Sequence, residues 1–323
     1  MKKILALVLL FLAVSSVVLK HQGVFASWQD QADANLWQDI EPAQLNRLAG
    51  KRSFSPVKAR SLRLNRAALA ERLKQAPVER TPEANEHPML LSLPYPDGTF
   101  KTFRVVESPI MEPGLAERFP DIKTYFADSP EDPTAHVRFE LTPQGFHAMI
   151  LSDKPTILID PPIEENTEYY QSYYKGDLPR ADAAWQCGVE QQISAEFAPE
   201  ASSAPAAPAI YNDTNLRTYR VAVTAPGEFT AANGGTVASG LSAVTTIVNR
   251  LNAVFGRDLA VRLVLVANND QIIYTNAATD PYNGVLNANQ TLLDNVIGNA
   301  NYDIGHVFQI YHVSGGASPL LFK

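Results

Sequence analysis

The sequence predicts an α+β protein: a hairpin-rich β domain followed by a smaller α/β segment in the order strand–helix–strand–strand–helix–strand. Two turn signals, one helical periodicity and one shift in composition carry this prediction. Asp97-Gly98 lies between two strand-like runs, and Pro143-Gln144-Gly145 lies between two more, as hairpin turns require. Val237, Leu241, Val244, Val248, Leu251 and Phe255 recur at three- and four-residue spacing, which marks one face of a helix. Between the two regions, residues 197–210 (FAPEASSAPAAPAI) hold little to bury and read as an exposed linker that tolerates nicking.

The chain opens MKKILALVLLFLAVSSVVLKHQGVFAS. Lys2 and Lys3 precede an apolar run over residues 4–19 that only Ser15 and Ser16 interrupt, and Ala26 with Val24 before it fits a leader-peptidase site. This is the layout of a cleaved secretory signal over residues 1–26. An uncleaved anchor is the alternative, but a spanning helix needs about 20 apolar residues and this run is shorter. The expectation is a secreted, extracellular protein with no membrane partner after cleavage. Losing Lys2, Lys3 and Lys20 with the leader moves the formal charge from −7 to −10. An acidic chain argues against nucleic acid as a partner, since holding phosphates needs a positive surface. A single cysteine, Cys187, excludes a disulfide scaffold.

Residues 27–186 read as one domain with a helical start. In residues 65–76 (NRAALAERLKQA), Leu69 and Leu73 share a face among charged side chains. Arg47, Lys51, Arg52, Lys58, Arg60, Arg63, Arg66, Arg72 and Lys74 make this stretch basic. It is either a solvated helical face or a surface that docks an acidic partner domain. From about residue 88 the pattern turns to β. Phe100, Phe103, Val105 and Val106 supply the second arm of the first hairpin, and residues 137–141 and 146–151 form the second hairpin. TILIDPP and EYYQSYYKGD continue the strands.

Residues 187–215 hold Cys187 and the Pro/Ala linker, and residues 216–323 the α/β segment. LRTYRVAVTA reads as a strand, residues 236–255 as a helix stopped by Gly256, and residues 259–266 as a second strand. QIIYTN reads as a short third strand. QTLLDNVIGNAN is a second helix burying Leu292, Leu293, Val296 and Ile297, and YDIGHVFQIYHV is a last strand. With no further helix to cover it, this segment is expected to leave an apolar face open and to fold less well than the region before it.

Wording as well as pattern then becomes specific. RTYRVAVTAPGEFT, VNRLNAVFGRDLAVRLVLVANND, IIYTNAATDPYNG and LDNVIGNANYDIGHVF lie in order within residues 216–308. They resemble the N-terminal half of the catalytic domain of secreted bacterial reprolysin-like zinc metallopeptidases, metzincins related to the adamalysins. SLPYPDGTF, VVESPIM, PDIKTYFADSPEDPTAHVRFELTPQGFHAMIL and YYQSYYKGDL resemble the propeptide of the same enzymes. The resemblance implies a secreted zymogen of a zinc-dependent endopeptidase that hydrolyses internal bonds of protein or peptide substrates. Such enzymes hold zinc with H-E-x-x-H-x-x-x-x-x-H, whose glutamate polarises the metal-bound water.

Here the sequence departs from the family pattern. None of His21, His87, His136, His147, His306 and His312 stands in an H-E-x-x-H frame, and the strand after which the motif belongs runs into QIYHVSGGASPLLFK. The expectation is a truncated precursor that is inactive alone, with zinc belonging to the full-length family enzyme and none bound to this chain. The alternative is a non-enzymatic exported inhibitor or binding module whose trans partner is a complete metallopeptidase.

The resemblance also gives Cys187 a role as an inhibitory zinc ligand. Cys187-Gly188-Val189 is similar to the cysteine-switch tripeptide of metzincin zymogens, in which a propeptide thiolate binds zinc and excludes the catalytic water. It follows the β-rich domain and precedes the linker, and Gly188 lets the backbone pass close to a metal cleft. The other reading is a small buried hydrophobe with an inert sulfur.

Weaker candidates complete the set. His306 and His312, six apart in a strand-like run, could share a face, but two ligands do not close a zinc site. NGGTVASG (233–240) lies between strand and helix yet lacks the lysine of a phosphate loop. ANND (267–270) and TNAATDPYNG (275–284) offer oxygens for calcium, or simply the residues that form turns. Asn212-Asp213-Thr214 and Asn289-Gln290-Thr291 match the glycosylation pattern.

Overall fold

The computed structural model describes residues 35–179, 215–282, 286–310, 312–313 and 316–317. The stretch expected to be a leader, Cys187, the expected Pro/Ala linker and the first glycosylation pattern lie outside the described residues.

Nine strands build one antiparallel sheet. They are β1 (Trp37–Asp39), β2 (Arg60–Leu64), β3 (Met89–Pro94), β4 (Phe100–Glu107), β5 (Lys123–Asp128), β6 (His136–Thr142), β7 (Gly145–Leu151), β8 (Ile157–Asp160) and β9 (Tyr169–Tyr174). Their order is β1-β2-β9-β8-β7-β6-β5-β4-β3, so from β3 to β9 each strand pairs with the next in sequence. Both predicted hairpins form, β3 with β4 and β6 with β7. At the first turn the Asp97 carboxylate accepts from the backbone N–H and the hydroxyl of Thr99, and Gly98 takes φ +91°, where a side chain is costly.

Alternation along the strands sends one set of side chains to a single core. Leu62, Leu91, Leu93, Phe103, Phe139, Phe146 and Tyr170 meet Leu69 and Leu73, which come from α2 (Arg66–Leu73) on its predicted apolar face. Trp37 closes this core edge-on to Phe146 and Tyr170. Three short helices form in the expected helical start, but β1 and β2 stand among them. RSLRL alternates buried Leu62 and Leu64 with exposed Arg63, a period of two that the surrounding short helices α1 (Pro42–Asn46) and α3 (Pro82–Glu86) obscure. The basic stretch spends its charges locally. Lys51 pairs with Glu164, Arg60 with Asp39 and Arg63 with Glu168, while Arg66 and Arg72 donate to the carbonyls of Thr142 and Leu90. These partners are those of a solvated face.

The second region is β10 (Arg217–Thr224), α5 (Gly227–Ala232), α6 (Val237–Leu259), β11 (Val261–Leu265), α7 (Leu286–Val296) and β12 (Ile304–Val307); α4 (Pro113–Arg118) belongs to the first. β11, β10 and β12 form a parallel sheet in that order. α6 packs Leu241, Val244 and Val248 on one face of it, and α7 packs Leu292 and Leu293, with Ile297 just past its end, around Ala222 on the other.

Several boundaries differ from expectation. Gly256 does not stop α6; the helix runs through it to Leu259 and ends where Ala260 turns left-handed at φ 51°. β11 accordingly starts at Val261 rather than at Leu259. QIIYTN is not a strand. Residues 269–272 form a 3-10 turn and Ile273 makes one bridge to Ala225, because the Asn269 side chain takes the N–H and C=O of Val223 in place of a strand partner. The second helix begins and ends earlier than predicted, closing before Gly298 at φ +88°. The last strand stops at Val307, and residues 312–313 pair separately with 316–317.

The expected open apolar face is also corrected, because the first region covers it. Residues 110–112 run parallel to β11: Leu265 N–H donates to Ile110 C=O and Glu112 N–H donates to Leu265 C=O. Ile110, Met111, Leu115 and Ile122 lie in the same core as Val221, Val223, Leu241, Val244, Leu263 and Leu265. The nine-stranded sheet packs against α6 from the side opposite β10. Among the described residues no helix is long and apolar enough to cross a membrane.

α6 starts from a capping box in which the Thr236 hydroxyl accepts from Ser239 N–H and the Ser239 hydroxyl accepts from Thr236 N–H. Thr236→Ala is expected to cost about 1 kcal/mol in urea unfolding, whereas Thr236→Ser, which keeps the capping hydroxyl, should retain most of that stability.

Candidate functional site

Among the described residues no group of three or more His, Cys, Asp and Glu side chains is placed to hold a metal ion. Cys187 and His21 lie outside the described residues. His306 is exposed on β12 with its ring against Phe308, and His312 belongs to the separate pairing at 312–313, so the two do not share one strand. His136 stacks on Phe126, and His87 ends α3.

The other sequence candidates are used structurally. Gly234 and Gly235 take positive φ to turn the chain into the capped start of α6, and Gln144 donates to Asn233 C=O from the other sheet. In ANND, Asn269 is spent on Val223 and Asp270 on Arg118. In TNAATDPYNG, Asn276 accepts from Ala278 N–H, and Asp280 accepts from Gly227 and Tyr282 N–H. These are turn formers with protein donors on their oxygens. Asn289, of the second glycosylation pattern, is buried within α7.

The chemistry that does converge lies on the outer face of the nine-stranded sheet. Where Phe139, Phe146, Ile159 and Tyr170 point into the core, their neighbours Glu140, His147, Asp160 and Gln171 point away from it. Register puts these side by side: Thr124 opposite Glu140, Glu140 opposite His147, and Asp160 opposite Gln171. The result is a polar row across five strands, flanked by apolar Met149, Leu151, Leu158 and Tyr173. α6 lies over it, with Ala253 and Val254 on the apolar flank and Asn249 and Arg250 on the row.

Asp160 is the centre of the row. It accepts from the Arg250 guanidinium, from His147 Nδ1 at 2.8 Å and from the Tyr173 hydroxyl at 2.9 Å. Burial works to raise its carboxyl, but Arg250, His147 and Tyr173 outweigh that and hold it at about 2. Next to it, Asn249 Nδ2 donates to Glu140 Oε2 at 2.6 Å. A buried ion pair adds little net stability over an apolar contact, yet losing one partner is expensive, so its main effect is to select this docking.

A second polar contact ties β11 to the first region. Arg262 pairs with Glu79 and donates to Ser108 Oγ, which also accepts from Arg138 Nη1 at 2.7 Å. At the far edge Arg118 pairs with Asp270, and the Glu112 carboxylate accepts from Ala267 N–H at 2.7 Å. Sequence reasoning missed the row. Its signal was two polar residues, Asn249 and Arg250, inside the apolar rhythm of α6, and Arg262 as the sole charge of its strand.

A search of curated proteins finds no match for this chain. Residues 215–321 match the family model described as metallo-peptidase family M12B reprolysin-like, so the region that carries α6 is similar to the metallopeptidases of that family.

Proposed function

We propose that residues 215–310 are the metallopeptidase-related part of a secreted zymogen, and that residues 35–179 are its propeptide, binding α6 and the β11 edge to hold that part latent. The observation that carries this reading is the shared core, in which Ile110, Met111, Leu115 and Ile122 complete the packing of the family-matched region. A removable inhibitor needs a complementary face and a cuttable connection, and residues 197–210 have the composition of such a connection. The leader-like pattern of residues 1–26 supports secretion. Cys187, between the two regions in sequence, is the residue we assign as the thiolate that closes the zinc of a complete family domain.

The family is zinc-dependent, with protein or peptide substrates, but the residues present here do not fit zinc. No histidine stands in an H-E-x-x-H frame, and no described His, Cys, Asp and Glu side chains converge in threes. The hydrolytic step therefore has no assignment among them. The trans-inhibitor alternative would act through Cys187 on a complete relative; we favour the zymogen reading because this chain's own α6 packs on the nine-stranded sheet.

The test starts from the intact chain. Light proteolysis that cuts within residues 180–214 should give two fragments that co-elute one to one and part only in denaturant. Fragments that separate on nicking would refute a propeptide docked in this way. The intact chain supplied with zinc should show no chelator-sensitive hydrolysis of casein, and such hydrolysis would refute latency.

A further inference from the structure

The carboxyl of Glu140 is enclosed between β6 and α6. Its Oε2 accepts from Asn249 Nδ2, but Glu140 Oε1 and Asn249 Oδ1, both buried, have no hydrogen-bond partner. Two bare acceptors on groups already joined by one hydrogen bond cannot satisfy each other. One proton serves both: a carboxylic acid donates to the amide oxygen while the amide nitrogen donates back. Exchanging the oxygen and nitrogen of the amide leaves the same need, because an amide oxygen beside Oε2 also requires a proton between them.

We propose that Glu140 is held as a neutral carboxylic acid paired with Asn249, so that the contact between the nine-stranded sheet and α6 takes up a proton from solvent as it forms. The contact then tightens in acid and loosens as pH rises through neutrality. This rests on the interface alone and does not need the peptidase reading.

Of the groups around Glu140, the Thr246 hydroxyl is placed to donate to the carboxyl, but it gives nothing to Asn249 Oδ1, which still calls for the proton. Along β6 the same face carries Arg138 and Thr142; Arg138 is engaged with Ser108. β5 presents Thr124 and β7 presents His147, whose Nδ1 is taken by Asp160 on β8. From α6 come Thr246, Asn249 and Arg250, the last paired with Asp160. Burial pushes the Glu140 carboxyl up to about 7 from its ordinary 4.5, and His147, Arg250 and the hydrogen bonds from Asn249 and Thr246 offset only part of the push. An acid whose value is higher docked than free stabilises the docked state fully below its free value, and that contribution is lost as pH climbs through the docked one.

The experiment uses the full-length chain, unfolded in urea from about pH 5.5 to about pH 8, with an NMR titration of the side-chain carboxyl carbons in parallel. The folded-to-unfolded ratio should fall on the order of tenfold over that range. Glu140→Gln, an amide pair of the same shape, should remove the fall and be the more stable protein at the alkaline end. One carboxyl signal, missing from Glu140→Gln, should titrate near neutrality, and His147→Gln should keep the fall. Persistence of the fall in Glu140→Gln, its loss in His147→Gln, or a Glu140 signal titrating near the ordinary carboxylate value would each overturn the proposal. The NMR signal decides the matter even if a variant does not fold.

Discussion

Arg250→Ala should cost about 3–5 kcal/mol of stability in urea at pH near 6, the largest loss expected from any single polar side chain here. The substitution leaves Asp160 buried with only His147 and Tyr173 as donors, and the desolvation that Arg250 offsets is then uncompensated. Combining Asp160→Asn with Arg250→Met should recover most of the loss, because a neutral, well-filled site has no charge to strand. The pH response separates this pair from Glu140. A carboxyl held at about 2 in place of 3.8 stabilises the native state above about pH 4, and that stabilisation is lost as pH falls through about 2. Acid loss should therefore be prominent in the native chain and weakened in Arg250→Ala. Equal acid sensitivity in both proteins would mean that Arg250 is not what holds Asp160 ionised.

Leu115→Ala should cost about 2–5 kcal/mol, the range for emptying a fully enclosed leucine site. The place where the damage is felt is the informative part. Leu115 belongs to α4 in the first region, yet it packs among Val221, Val244 and Leu265 of the second. Hydrogen exchange should consequently accelerate at the amides of Leu263 and Leu265, well beyond the mutated helix. If only residues around 113–119 respond, the two regions unfold independently and the shared core is not cooperative.

Much of the architecture was legible because it rests on short-range rules. The Asp97-Gly98 and Pro143-Gln144-Gly145 turns fix hairpins by local geometry, and the spacing from Val237 to Phe255 can be only a helix. Expectation and structure part where tertiary partners override local preference. Gly256 looks like a stop but stays helical, since a glycine in a helix interior costs only about 1 kcal/mol and the following turn carries the termination. QIIYTN has strand composition, but Asn269 occupies the backbone groups that a neighbouring strand would use. The polar row was invisible for a related reason. Glu140, His147 and Asp160 stand on three different strands, and only the register of β6, β7 and β8 brings them together. Asn249 and Arg250 carry part of the family likeness, yet their physical oddity, two polar side chains amid an apolar stripe, already marked a buried partner.

The bridge that residues 110–112 make to β11 bears on how genes of this kind can recombine. A crossover in the stretch coding for residues 180–214 looks harmless, because it falls between the two sheets in sequence. It would nonetheless give a chimera in which β11 meets an unfamiliar edge and Arg262 loses Glu79 and Ser108 together. Compatible halves must be inherited as a pair, and the seam that looks easiest to cut is a poor place to splice.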